Sequence, residues 1–216
     1  MKSSAVQMLI AARRVADYAK ELGADVERQQ TRAAYEHMGA LLADSILQAG
    51  LNYNSVVLPR VSTILANFPQ ECRTSALVGL VARGETPVFL NWTHAEKVGR
   101  FDALVMFLND NEVEDVGDLR SCLLRKPFVE ALRAVRGVGP KTVDYIGCLA
   151  GLDSVAVDRH VRTFAKRVGV LEDDYDFLRS VFSHAADLLS VSRREFDAWV
   201  WRREASLSSS QMSFKF

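Results

Sequence analysis

Only three cysteines, Cys72, Cys122 and Cys148, occur in 216 residues. So few, and an odd number, cannot frame a disulfide scaffold, and they fit a reducing cytoplasm. Long apolar runs are missing too: none approaches the ~18 residues that would suggest a membrane-spanning helix. Met1-Lys-Ser-Ser leads into an amphipathic pattern rather than a signal peptide. The expectation is a cytoplasmic protein with no membrane partner, nucleoid-associated if its source is bacterial or archaeal. Net charge is also lacking, with 27 Lys and Arg against 27 Asp and Glu. That balance argues against a binder of nucleic acid by bulk charge alone. Alternating strand patterns are scarce, and Val155-Ala-Val157 is long enough only for an extended connector.

What is present is ordinary in bulk and uneven in distribution. Hydrophobic residues make up 49% and charged residues 25%, as in one large globular domain or two small ones. The charges separate along the chain. From Arg120 to Arg167 ten Lys and Arg stand against four Asp and Glu, whereas Phe101 to Leu119 holds six acids and no base. A basic segment set apart from an acidic one suits a surface that tracks phosphates. Two solvated helix faces of unrelated charge would give the same counts.

Residues 136–160 decide between these readings. Gly137 and Gly139 flank Val138, so a turn there can adopt positive φ and leave amides uncovered. Pro140 suits the first position of a helix, where a missing N–H costs nothing. Amides at a helix N-terminus favour an anion, most often phosphate. Lys141 falls in that same first turn, where the positive helix end disfavours its protonated form, as an amine nucleophile requires. Asp158 follows 17 residues later, a carboxylate placed to assist and a good N-cap for the next helix.

Gly137-Val-Gly-Pro-Lys-Thr142 with Val157-Asp-Arg-His160 resembles the helix-hairpin-helix DNA glycosylase superfamily, in its endonuclease III and 8-oxoguanine glycosylase branches. The strict match covers roughly a tenth of the chain, with a looser likeness in helix order from about Leu41 to Val170. The resemblance implies an all-α fold of two helical domains with a DNA-binding cleft between them. One, residues 34–153, would be a six-helix domain ending in the hairpin. Residues 1–33 and 154–216 would form the other, and Asp158 would face Lys141 across the cleft.

Periodicity supports the helical reading. Ser3 and Ser4 can cap a first helix with Val6, Leu9, Ile10 and Val15 on one side, ending at Gly23. A second begins near Thr31 and stops at Gly50, followed by a polar loop, Leu51 to Ser55. Helices near 56–67, 72–83, 93–109 and 115–124 come next. The hairpin helices start at Pro127 and Pro140, the second with Val143, Ile146, Gly147 and Ala150 inward and Gly151 as its stop. Val161, Phe164, Ala165 and Val168 mark the helix after Asp158, and two more carry Phe177 to Phe182 and Phe196 to Val200. Ser206 to Phe216 is serine-rich without periodicity and reads as a loose tail.

The chemistry implied is base-excision repair on double-stranded DNA with a damaged base or abasic site. A glycosylase takes its target base out of the stack to reach the sugar C1′. Cleavage of the C1′–N bond builds positive charge on the sugar, which an ionised carboxylate stabilises. Lysine implies a bifunctional enzyme, a DNA N-glycosylase with AP lyase activity through a Schiff base and β-elimination. Lys141 and Asp158 are the catalytic candidates. Gly137, Val138 and Gly139 would offer amides to a phosphate, Thr142 its hydroxyl, and His160 a further donor. For the residue that fills the hole left by the base, Gln48, Asn52, Tyr53 and Asn91 are candidates, with Trp92 beside the last. Oxidised pyrimidine, 8-oxoguanine and a mismatched base all remain open as targets. A non-catalytic helix-hairpin-helix DNA-binding module is the alternative function, although a pure grip needs neither Lys141 nor Asp158. A general helical interaction protein is a third, disfavoured by the basic surplus.

One family landmark is missing. Many endonuclease III relatives carry four cysteines spaced Cys-x6-Cys-x2-Cys-x5-Cys near their C-terminus, which ligate an iron–sulfur cluster. No cysteine follows Cys148 here, and three thiolates cannot make a four-cysteine site. The expectation is a monomer with no metal and no cofactor. In the family a monovalent ion often binds the hairpin carbonyls, and these side chains do not bear on it.

Overall fold

The computed structural model describes residues 5–24 and 34–212, with side chains through 207. Ser3, Ser4 and Thr31 lie outside the described residues. Every regular element is helical, and no strand occurs among the described residues. The chain divides into two compact units, Ala33–Leu152 and Met1–Arg32 with Asp153–Phe216.

The first unit is built on α2 (Met38–Leu47), all ten of whose residues are buried. Gly39 makes that placement possible: a Cβ there would lie 2.7 Å from the Phe89 ring and 2.8 Å from the Glu71 carbonyl. The helix starts at Met38, because residues 34–37 are non-helical and His37 is its N-cap. The His37 Nδ1 accepts from the Ala40 amide at 3.1 Å while Nε2 donates to the Phe68 carbonyl at 2.8 Å, which fixes the tautomer. At the other end Lys97 Nζ donates to the carbonyls of Ile46 at 2.9 Å and Ala49 at 2.8 Å. A lysine at a helix C-terminus satisfies orphan carbonyls and meets the negative dipole end.

Around α2 pack α3 (Leu58–Asn67), α4 (Thr74–Ala82), α5 (Thr86–Phe89), α6 (Ala95–Asp110), α7 (Val116–Leu123), α8 (Lys126–Ala134) and α9 (Pro140–Leu149). With α2 these are eight helical segments: the seven that periodicity marked and the one-turn α5, which it did not mark. The expected polar loop after Leu51 is instead largely a π-helical turn, Tyr53–Val57, capped by the Asn52 side chain. The acidic stretch also has local work. Asp115 and Asp118 form a capping box on α7, Asp102 accepts from Thr86 Oγ1 at 2.6 Å, and Glu114 accepts from Ser75 Oγ at 2.6 Å. Four of the six acids thus terminate or tie helices.

The second unit holds α1 (Ala5–Glu21), α10 (Arg159–Arg167), α11 (Tyr175–Leu189) and α12 (Arg193–Met212). Its centre is aromatic: Phe164, Phe182, Phe196 and Trp199 are buried with neighbouring ring centroids 5.9–6.1 Å apart. The buried face of α1 is Ala11, Ala12, Val15, Ala16 and Ala19. Val6, Leu9 and Ile10 are exposed, contrary to the periodicity reading, because an alanine stripe lets α1 approach α11 closely and rotates the larger side chains outward. The expected loose tail from Ser206 is corrected as well, since α12 continues to Met212. Serine costs a helix only about 0.5 kcal/mol per residue, and extending a helix already nucleated by packed residues is easy. Glu204 is buried on this helix in a two-pronged pair with Arg167, at 3.0 and 3.2 Å.

Candidate active site

The hairpin lies between α8 and α9. Val138 is its anchor, 2% exposed in the core of the unit. Its amide donates to the Val135 carbonyl at 2.9 Å, so Val138 is corrected from a phosphate donor to a structural pin. The Thr142 amide is likewise engaged by the Gly139 carbonyl at 3.0 Å. The amides of Gly137 and Gly139 meet no acceptor among the described residues. The hairpin is exposed except at Val138, and amides ahead of a helix N-terminus are groups that favour an anion.

The two glycines have different reasons to be glycine. Gly137 has φ +80°, and a Cβ there would sit 2.2 Å from Arg100 Nε. Gly139, the N-cap of α9, has φ −94° and ψ 179°, which any residue adopts, and open space where a Cβ would go. The guanidinium of Arg100, from α6, therefore packs directly on the hairpin while pairing with Glu96 at 2.8 Å. Sequence reasoning missed it, since it lies 37 positions before Gly137 with no motif around it.

Lys141 occupies the second position of α9, half-buried, with Nζ 4.7 Å from the centroid of the Tyr145 ring. The Tyr145 hydroxyl donates to Asp44 Oδ1 at 2.9 Å. Asp44 is wholly buried on α2, and its other oxygen accepts from Tyr35 at 2.8 Å and Tyr53 at 3.1 Å. A carboxylate removed from water needs such partners, and three phenols supply them. This cluster also went unseen in the sequence, where its members are spread from position 35 to 145.

In the other unit Asp158 is the N-cap of α10. Its Oδ1 accepts from the amides of His160 at 2.7 Å and Val161 at 3.0 Å. Oδ2 meets no partner among the described residues, and the side chain is half-buried. His160, expected as a further phosphate donor, is buried. It is 6% exposed, lies edge-on to Trp201 at 5.8 Å, and its Nε2 accepts from Arg159 Nε at 3.3 Å. Burial and the Arg159 charge push its pKa below the usual histidine value, against the opposing pull of Asp158 and Glu204. A buried ring of this kind is poorly set to donate to a phosphate, whereas Arg159 is exposed.

The remaining candidates are scattered over the first unit. The Tyr53 hydroxyl donates to Asp44 at 3.1 Å, and the exposed Asn52 side chain accepts from the Ser55 amide at 3.0 Å. Gln48 ends α2 half-buried, and its Nε2 finds no acceptor among the described residues. Asn91 is exposed at φ +44°, beside Trp92, over whose ring Arg60 lies at 5.2 Å. Among the described residues no His, Cys, Asp and Glu cluster has the makings of a metal site. Two of the three cysteines are buried and in different helices, Cys122 in α7 and Cys148 in α9, a set that does not fit an iron–sulfur cluster.

No family model matches the sequence, and no curated protein sequence does. Among solved structures, the crystal structure of H. pylori 3-methyladenine DNA glycosylase (MagIII) bound to 1,N6-ethenoadenine matches over 93% of this chain and 98% of that one, with TM-score 0.56. The two chains share a fold. At 18% identity the likeness carries the all-helical architecture and stops short of substrate or mechanism. No helix among the described residues is long and apolar enough to cross a membrane.

Proposed function

We propose that this chain is a DNA glycosylase with AP lyase activity, in which Lys141 is the nucleophile. The observation that carries this reading is a lysine in the first turn of α9, directly behind two open glycine amides. A simple phosphate grip does not require an amine at that point. Arg100 on the hairpin and the exposed Arg159 would add charge to the phosphate contacts.

The steps balance without a cofactor. Neutral Nζ of Lys141 attacks C1′ of a flipped nucleotide, and the C1′–N bond breaks with its electron pair leaving on the base. Opening of the sugar C1′–O4′ bond gives the iminium. Loss of the C2′ proton then expels the 3′ phosphate by β-elimination, and water hydrolyses the imine to release the lysine. Asp158 would stabilise the charge that develops on the sugar and accept the amine proton, using the oxygen left over from its capping bonds. An oxidised base is the proposed target.

A second reading has its own support, since the matched structure is that of a 3-methyladenine DNA glycosylase with 1,N6-ethenoadenine bound. It would make the target an alkylated base released to water. Borohydride trapping on duplexes carrying a single oxidised, alkylated or abasic site decides between them. The expected result is a reduced covalent adduct on oxidised and abasic duplexes, lost in Lys141→Ala while duplex binding persists. Base release from the alkylated duplex without any adduct would support the second reading. Binding with neither product would leave a non-catalytic DNA-binding module.

A further inference from the structure

The Tyr145 ring lies against the lysine nitrogen, its centroid 4.7 Å from Nζ, and its hydroxyl reaches a carboxylate 101 positions earlier in the chain. A tyrosine serving only as filler could turn its ring edge or face either way. This one is fixed at both ends. Its oxygen is held on Asp44 at 2.9 Å, and Asp44 is itself held by Tyr35 and Tyr53. The ring face is thereby presented to Lys141, one helical turn back on α9.

We propose that Tyr145 is the positioning residue of Lys141: its ring face, clamped through Asp44, holds the lysine nitrogen and stabilises the cation that nitrogen carries. This rests on the lysine reading above and names a residue that reading does not need. The negative face of an aromatic ring attracts a cation within about 6 Å, and donation of the phenol proton toward a carboxylate makes the ring richer in electrons. The nitrogen is neutral when it attacks and becomes cationic in the iminium, where the ring's attraction is felt most. A ring under it therefore fixes its position before attack and favours the covalent intermediate afterwards. Attack demands near-contact geometry, so a side chain with four rotatable bonds gains most from such a support.

The test compares Tyr145→Leu, Tyr145→Phe and the wild-type chain by single-turnover borohydride trapping on an abasic duplex, with duplex affinity and thermal unfolding measured on each. Tyr145→Leu removes the face, and trapping should slow by about 2- to 30-fold at unchanged duplex affinity. Tyr145→Phe keeps the face and loses its clamp on Asp44, so its rate should fall between those of Tyr145→Leu and wild type. Equal rates for Tyr145→Leu and wild type would overturn the proposal, as would a phenylalanine variant as slow as the leucine one. A wild-type chain that traps nothing removes the lysine reading itself, and that arm separates the two failures. Should Tyr145→Leu not fold, the free wild-type protein still answers by NMR. The Lys141 ε-methylene should be shifted upfield by the ring and remain so in Tyr145→Phe, and an unshifted signal would refute the contact.

Discussion

Alanine at Gly137 and alanine at Gly139 are two substitutions in one tripeptide with opposite expected outcomes. At Gly137 the backbone is at φ +80°, and forcing an L-residue there costs about 1–2 kcal/mol. The new Cβ would also lie 2.2 Å from Arg100 Nε and must push the guanidinium aside. That group is 19% exposed and paired with Glu96 at 2.8 Å, a pair worth at most about 1 kcal/mol. Together these destabilise by about 1–3 kcal/mol, or roughly 2–12 °C in Tm for a chain of this size. At Gly139 the backbone is extended and the space open. Alanine there gains about 0.4–1 kcal/mol by narrowing the unfolded ensemble and loses a similar amount as a poorer N-cap. The two cancel. Gly139→Val should also fold, yet it fills the space in front of the open amide, and one charge-assisted hydrogen bond lost would weaken duplex binding roughly 10- to 150-fold. Thermal unfolding by circular dichroism and fluorescence anisotropy on an undamaged duplex at one fixed salt concentration measure both effects. A Gly139→Ala protein as destabilised as Gly137→Ala, or a Gly139→Val protein that binds like wild type, would refute the reasoning.

Asp158→Asn should slow base release by about 100-fold or more through loss of a charge used in the transition state. Asparagine retains the oxygen that accepts from His160 and Val161, so unfolding should shift by no more than about 1 kcal/mol, and single-turnover kinetics beside a melt check both. His160 is held below the usual histidine value by burial, so its neutral form belongs to the folded state. Its contribution is complete above the unfolded value and is lost as pH falls from about 6.5 through the folded value, because the unfolded chain then binds the extra proton. Urea unfolding across that window should show stability falling with pH in wild type and falling less in a folded His160→Phe variant. Purified protein should be colourless and keep its activity through exhaustive chelation, as a reaction using only an amine and a carboxylate implies. Stoichiometric iron or a need for added divalent metal would contradict this.

Local signals were readable where one residue type has one physical use. Asp158 ahead of Val161 and Phe164 announces an N-cap, and it is one; Gly23, Gly50 and Gly151 announce helix ends and all take positive φ. Val143, Ile146, Gly147 and Ala150 are inward as their spacing implies. What escaped depends on tertiary context. A histidine cap such as His37 needs the distant Phe68 carbonyl to set its tautomer. The buried side of α1 is alanine, which carries almost no weight in a periodicity count beside Val6, Leu9 and Ile10. Val138 looks like one more hairpin amide, but the turn hydrogen bond to Val135 consumes its N–H. In the candidate site the hairpin and lysine were legible as a motif, whereas Arg100, Asp44 and Tyr145 reach it only through folding.

The entry and exit of the Ala33–Leu152 unit lie side by side. The Tyr35 amide donates to the Leu149 carbonyl at 3.0 Å, Arg120 Nε donates to the Ala150 carbonyl at 2.8 Å, and a Cβ on Gly151 would touch the Ala34 side chain at 3.0 Å. A segment whose two ends meet behaves as a cassette: it can be lifted out of its host chain, or rejoined end to end and reopened elsewhere, without unravelling its interior. Residues 34–152 made alone should fold around α2, carrying the hairpin, Lys141 and the Asp44–tyrosine cluster on a piece small enough to label and dissect.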